Sequence, residues 1–202
     1  MKVIAADFLT TATTPAGWPP GDLPEIAFVG RSNVGKSSML NALTGRRGLA
    51  RVSGTPGRTR ALNFFELTLE RAATRERIRF CDLPGYGFAK VSKAERASWV
   101  KMIEAYLSER SALAAVVVII DGKVGPTDDD LEMLRWLEAK GRRPIVVATK
   151  MDKLPKAKRA GRLRQIEAEL QFLPRTLVGF SAEAGFGRDE VWGRILAAVH
   201  GG

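Results

Sequence analysis

One cysteine, Cys81, and one histidine, His200, stand among 202 residues. A lone thiol cannot form a disulfide framework within the chain. This pair also cannot supply the three or four Cys/His ligands of a zinc-type centre, and a reducing, cytoplasmic setting is the expectation. Long apolar runs are missing as well. The longest, ALAAVVVII at 112–120, falls well short of the about 20 residues a spanning helix needs. The opening MKVIAADFLT is broken by Asp7 before a signal-peptide core can form. With 20 Gly and 10 Pro, the chain is neither collagen-like nor low in complexity. Acids are scarce beside bases: 22 Asp+Glu against 32 Lys+Arg, a formal net charge of +10. Such a surplus points to a polyanionic partner, nucleic acid first and an anionic membrane face second. A basic surface kept only for solubility is the plain alternative.

What is present reads as a single α/β domain. Residues 1–24 form an irregular lead-in, rich in Thr, Pro and Gly over TTATTPAGWPPGDLP (10–24), and 25–202 form the domain. Strand-like segments at 25–30, 62–70, 78–83, 115–121, 144–150 and 176–182 alternate with helix-like ones at 37–45, 93–110, from Thr127, 156–171 and 189–200. Along 93–110, Trp99, Met102, Ile103, Tyr106 and Leu107 share one helical face. The strands at 115–121 and 144–150 are apolar throughout, as in a sheet covered on both faces. The expected fold is a mostly parallel, doubly wound sheet flanked by helices. Such sheets bind ligands at the carboxyl ends of their strands.

Immediately after the first of these strands comes GRSNVGKS: Gly30, Arg31, Ser32, Asn33, Val34, Gly35, Lys36 and Ser37. This is a complete G-x-x-x-x-G-K-[ST] phosphate loop, set between a strand and a helix as it must be, which makes the fold a P-loop NTPase. Its backbone N–H groups would face the phosphates, Lys36 would neutralise the β- and γ-phosphates, and Ser37 would hold Mg²⁺. Lys36 serves the ligand here, so its loss is expected to spare the fold.

Three further segments follow later strands. Asp82, Leu83, Pro84 and Gly85 form DLPG, with Asp82 reaching Mg²⁺ through water and the Gly85 N–H sensing the γ-phosphate. Thr149, Lys150, Met151 and Asp152 form TKMD. The Asp152 carboxylate can accept from the ring N–H and the exocyclic amine of guanine, and adenine offers neither donor on that edge. The stem of Lys150 would cover one purine face. After the last strand come Phe180, Ser181 and Ala182, where a backbone N–H of Ser181 or Ala182 is placed to meet the guanine carbonyl. Four motifs in this order specify a GTP-binding G domain.

The chain resembles the EngB (YihA/YsxC) family of Era-like GTPases. The resemblance rests on GRSNVGKSS (30–38), TPGRT (55–59), DLPGYGFAKVSK (82–93), Trp99 to Leu107, PTDDDLEMLRWL (126–137) and TKMDK (149–153). It runs from about residue 25 to the end, and implies a role in assembling the large ribosomal subunit and a requirement in cell division and septation. It also implies that Thr59 joins Ser37 on Mg²⁺ and acts with Lys36 and Gly85 in catalysis. The backbone of Gly57, Arg58, Thr59, Arg60 and Ala61 would then lie near the nucleotide. Thr149 stands where many G proteins carry Asn, and Tyr86 stands where a water-orienting Gln would otherwise be expected. Intrinsic hydrolysis is therefore expected to be slow. Asn at the position of Asn33 accompanies K⁺ binding in some related GTPases, so K⁺, the ribosomal particle, or both are expected to supply the missing charge. Asn33 as a loop-shaping residue is the alternative.

Two basic regions remain. Residues 46–60 carry five Arg and no acid, a length that in a compact domain marks a functional or a disordered loop. Lys153, Lys156, Lys158, Arg159, Arg162 and Arg164 cluster at the basic helix, with 158, 162 and 165–166 on successive turns. Contact with ribosomal RNA phosphate is one reading, a solvated face the other. The expected state is a monomer. Three other functions compete: a P-loop ATP enzyme, which TKMD argues against; an RNA-binding module with a vestigial nucleotide site, which the intact set of Lys36, Ser37, Thr59, Asp82 and Asp152 argues against; and a division-site regulator unrelated to ribosomes, which the sequence does not exclude.

Overall fold

The computed structural model describes residues 1–50, 61–71, 74–86, 93–170 and 177–201, with the backbone alone over 93–99. Gly57, Arg58, Thr59 and Arg60, most of the arginine-rich segment, and the side chain of Trp99 therefore lie outside the described residues.

Seven strands form one sheet: β1 (Lys2–Ala12), β2 (Glu25–Gly30), β3 (Leu62–Arg71), β4 (Thr74–Asp82), β5 (Leu113–Asp121), β6 (Pro144–Thr149) and β7 (Leu177–Gly179). Their order across it is β1-β3-β4-β2-β5-β6-β7. From β4 to β7 neighbours run parallel, while β1, β3 and β4 pair antiparallel. Every residue of β2 and β6 is buried, and apart from Glu25 and Thr149 their sequences are apolar without alternation, as in strands covered on both faces.

Helices α1 (Lys36–Thr44) and α5 (Arg188–His200) cover one face, packing Met39, Leu40, Leu43, Trp192 and Ile195 onto Ile26, Phe28, Val117 and Ile119. Helices α2 (Lys93–Glu109), α3 (Asp128–Ala139) and α4 (Lys156–Glu169) cover the other, where Ile103, Tyr106, Leu134 and Ile166 meet Ala27, Val29, Val118 and Ile120. Each large side chain fully buried in this way contributes about 1.5–3 kcal/mol. Trp192 is a core residue, and its indole N–H donates to the Leu43 carbonyl at the end of α1 (3.2 Å).

The irregular lead-in expected over 1–24 differs in its first half, where Lys2–Ala12 is the edge strand β1. Two register shifts interrupt its pairing with β3, between Val3 and Ala5 and between Phe8 and Thr10. Only Ala6 and Ala12 of its residues are buried, so the alternation that announces a strand is blurred. The second half is irregular but pinned. Trp18 packs edge-on against Tyr106 with ring centroids 5.4 Å apart. Arg110 reaches Pro19 O at 2.6 Å, and Arg79 reaches Pro20 O and Asp22 Oδ1 at 2.5 and 2.7 Å. Under this strap, Glu25 is wholly buried and accepts from the Tyr106 hydroxyl (2.8 Å) and from Arg110 Nε (2.9 Å).

Candidate nucleotide site

Gly30, Asp82, Asp121 and Thr149 end four neighbouring parallel strands, so the carboxyl edge of the sheet gathers the residues singled out in the sequence. The phosphate loop leaves β2 and turns into α1 through Gly35, whose φ of 101° lies in the left-handed region that side chains rarely tolerate. Asn33 is also left-handed, at 64°. Lys36 and Ser37 open α1 with the amino end of that helix behind them, the end that favours anions.

Lys36 Nζ pairs with Asp82 Oδ1, and both side chains are about nine-tenths buried. Lys36 therefore also neutralises a buried carboxylate of the fold, a duty the sequence did not indicate. Leu83 N–H donates to Phe28 O (3.0 Å), and Leu83 and Pro84 are buried. This fixes Gly85 beside the phosphate loop. As oxygen donors, the Ser37 hydroxyl and the Asp82 carboxylate suit Mg²⁺. That ion takes one or two protein ligands and completes its shell with water and substrate phosphate. The described residues contain no group of three or more His, Cys, Asp or Glu that could hold a metal by themselves.

On the base side, Thr149 Oγ1 lies 2.5 Å from Val34 O and 3.0 Å from Ile120 O. Lys150, left-handed at φ 56°, donates from Nζ to Asn33 O (2.7 Å) and to Asp121 Oδ2 (2.8 Å). Its stem thus spans from β6 to the phosphate loop, and Asp121 fixes its end. Burial is the largest single influence on the Asp121 carboxyl and raises its pKa, but the bond and charge of Lys150 together with the Val124 and Lys123 N–H groups outweigh it, and the net direction is downward. Met151 is buried and donates its N–H to Phe180 O (3.2 Å).

Asp152 is oriented by the Ser181 hydroxyl, which donates to Oδ1 at 2.7 Å and holds the carboxyl below its ordinary pKa. Ser181 accepts Ala184 N–H at Oγ and donates its own N–H to Phe186 O (3.1 Å). Its amide is thereby committed. Ala182 is exposed and its N–H has no partner among the described residues, which makes it the donor available for a base carbonyl.

Two residues that the sequence did not single out for this site belong to it. Asp121 was signalled only by its place at the carboxyl end of β5. Asp130 is 2% exposed and accepts the Thr127 N–H (2.9 Å) and hydroxyl (2.8 Å), together with the Tyr86 hydroxyl (2.7 Å). Its signal was the T-x-x-D pattern of a capped helix start.

Part of the basic cluster at α4 is held in local contacts. Lys153 pairs with Glu183 (2.8 Å) and Asp152 (3.3 Å). Arg159 donates to Leu154 O and lies over the Phe186 ring, while Arg162 donates to Gly122 O. Lys156, Lys158 and Arg164 remain exposed. Of the stripe through 158, 162 and 165–166, Gln165 is exposed and Ile166 is buried. Among the described residues no helix is long and apolar enough to cross a membrane.

Comparison with known proteins adds three findings. The family model described as a 50S ribosome-binding GTPase matches residues 25–150. Curated relatives include proteins called probable GTP-binding protein EngB. That of Anaeromyxobacter sp. (strain Fw109-5) is 54% identical over 98% of this chain and 93% of its own. That of Myxococcus xanthus is 56% identical over 97% and 95%. Among solved structures, Era in complex with MgGDPNP and nucleotides 1506–1542 of 16S ribosomal RNA is 28% identical with a TM-score of 0.71, covering 88% of this chain and 57% of that one.

Proposed function

The chain belongs to the EngB family of GTP-binding proteins, a GTP-hydrolysing class, and on that footing we propose that it is a slow GTPase switch acting in assembly of the large ribosomal subunit. Normal cell division and septation would depend on that role, exercised by a monomer in the cytoplasm. The observation that carries the nucleotide half is the meeting of Lys36, Asp82, Lys150 and Asp152 at one edge of the sheet, each held by a named partner. The ribosomal half is supported by the family's description as 50S ribosome-binding and by the net charge of +10. The exposed Lys156, Lys158 and Arg164 are its RNA-facing candidates.

In this reading the loop amides and Lys36 hold the β- and γ-phosphates, Gly85 N–H meets the γ-phosphate, and Asp152 with Ala182 N–H reads guanine. Lys150 covers the purine face. Ser37 and Thr59 would hold Mg²⁺, with Asp82 acting through water; the ion, when bound, would help to neutralise the negative charge of the triphosphate. Asn33 is the candidate K⁺ ligand. Tyr86 cannot orient an attacking water while its hydroxyl is given to Asp130. Turnover of the order of 10⁻⁴ s⁻¹ is expected without a partner, with stimulation by roughly 10⁵ when one supplies the missing group.

Cosedimentation with large-subunit particles in K⁺ buffer tests the proposal, comparing GDP with a non-hydrolysable GTP analogue. Binding that requires the analogue and falls steeply with salt supports it. Equal binding in both states, or none, removes the switch from the ribosome.

A further inference from the structure

Tyr86 is held from two sides. Its N–H donates to Gly30 O (3.3 Å) and its carbonyl accepts the Ser32 N–H (3.2 Å), a parallel bridge between Arg31 and Tyr86. Across from that bridge, its hydroxyl donates to the buried Asp130 carboxylate at the start of α3. Burial, reinforced by the negative charge of Asp130, pushes the phenol above its ordinary pKa, so the hydroxyl keeps the proton it donates. Gly85 lies so close to the phosphate loop that a Cβ there would stand 3.0 Å from Ser32 N. The segment meant to offer Gly85 N–H to a third phosphate is thus fastened to the loop, and it consumes a loop amide in doing so.

We propose that Tyr86 is a nucleotide-state latch: its hydroxyl bond to Asp130 and its backbone bridge to Arg31 and Ser32 hold residues 85–86 in an arrangement compatible with a diphosphate, which a triphosphate must break to seat its third phosphate against Gly85. The inference rests on the GTPase reading above. Asp130 is also the residue that caps α3 through Thr127. Release of Tyr86 therefore removes one of the bonds that fix this carboxylate, and the phosphate state is passed to the first turn of α3. Tyr86 is a positioning residue here and touches no reacting atom.

The test uses the full chain and Tyr86→Phe, which keeps the ring and loses the hydroxyl. Affinities for GDP and for a non-hydrolysable GTP analogue are measured by calorimetry, and amide hydrogen exchange of residues 127–131 is followed in each state. A hydrogen bond to a charged acceptor is lost from the diphosphate arrangement only. The analogue-to-GDP affinity ratio should therefore rise about tenfold in the variant. In the unsubstituted protein, residues 127–131 should exchange faster with the analogue than with GDP, and Tyr86→Phe should erase that difference. A purely structural role would change both affinities equally, and that result overturns the latch. Equal exchange in the two states of the unsubstituted protein overturns it without any substitution. If the unsubstituted protein binds neither nucleotide, the GTPase reading itself falls and the latch with it. Binding with an unchanged ratio removes the latch alone.

Discussion

Thr149 and Val34, 115 positions apart, are joined by a 2.5 Å contact from the threonine hydroxyl to the valine carbonyl. The same oxygen lies 3.0 Å from Ile120 O, so one side chain ties the end of β6 to the phosphate loop and to β5. Asparagine is common at this position in other G proteins. Here a hydroxyl on a β-branched side chain, favoured at a strand end, makes the tie.

Thr149→Val keeps the shape and removes that hydroxyl. The substitution should cost about 1–2 kcal/mol in urea denaturation and weaken GDP binding several-fold as the loop loosens. A variant with native stability and native GDP affinity would show that the tie is not used.

Asp152→Asn replaces the acceptor for the two guanine donors with an amide. GTP affinity should fall by at least about a hundredfold, with roughly 10⁴–10⁵ as the upper bound such a site can discriminate, and xanthosine triphosphate should gain. The Ser181 bond keeps the Asp152 carboxyl below its ordinary pKa, so guanine preference should be flat from about pH 5 to 8, well above the ordinary carboxyl value of about 3.9. A titration of nucleotide competition against pH checks both statements.

The Asp121–Lys150 pair sets a pH dependence of stability. Asp121 is depressed in the folded state. Its contribution is therefore fully present above the unfolded carboxyl value of about 3.9 and is lost as pH falls through the lower folded value. Denaturation midpoints at pH 6, 4.5 and 3 should show this loss, and Asp121→Asn should remove its share of it.

Lys36→Ala should abolish triphosphate binding and also strand a buried Asp82. Breaking one side of a buried ion pair costs about 3–5 kcal/mol, so this variant should be less stable as well as inactive. Lys36→Met combined with Asp82→Asn should recover most of the stability and none of the binding. Equal denaturation midpoints for Lys36→Ala and the native chain would separate Lys36 from the fold.

The motifs and the strands they follow were legible because each rests on a local pattern: an apolar run, then Gly, Asp or Thr at its carboxyl end. Helix α3 announced itself through Thr127 and the acids after it, although the burial of Asp130 and its bond to Tyr86 could not be read there, since they depend on residues 44 positions apart. β1 was hidden by its bulges and exposed side chains. The local ties of the α4 charge could not be read from spacing, because Arg159 and Arg162 keep their charge while each donates to a carbonyl of a neighbouring segment, a choice made by tertiary packing. Asp121 looked like an ordinary strand end until Lys150 was seen to reach it.

The bond from the Trp192 indole to Leu43 O has a consequence for the timing of biosynthesis. The helix that begins with Lys36 ends on a carbonyl whose indole partner is translated 149 residues later, with Arg188 a second donor to the same oxygen. At about 5–20 residues per second, the nascent phosphate-loop helix waits roughly 7–30 seconds for its closing contact. The last helix must also clear the ribosome that is making it. A chain stalled or truncated before residue 188 would therefore display every nucleotide motif and still lack both side-chain donors, Arg188 and Trp192, to the end of the helix that carries Lys36 and Ser37.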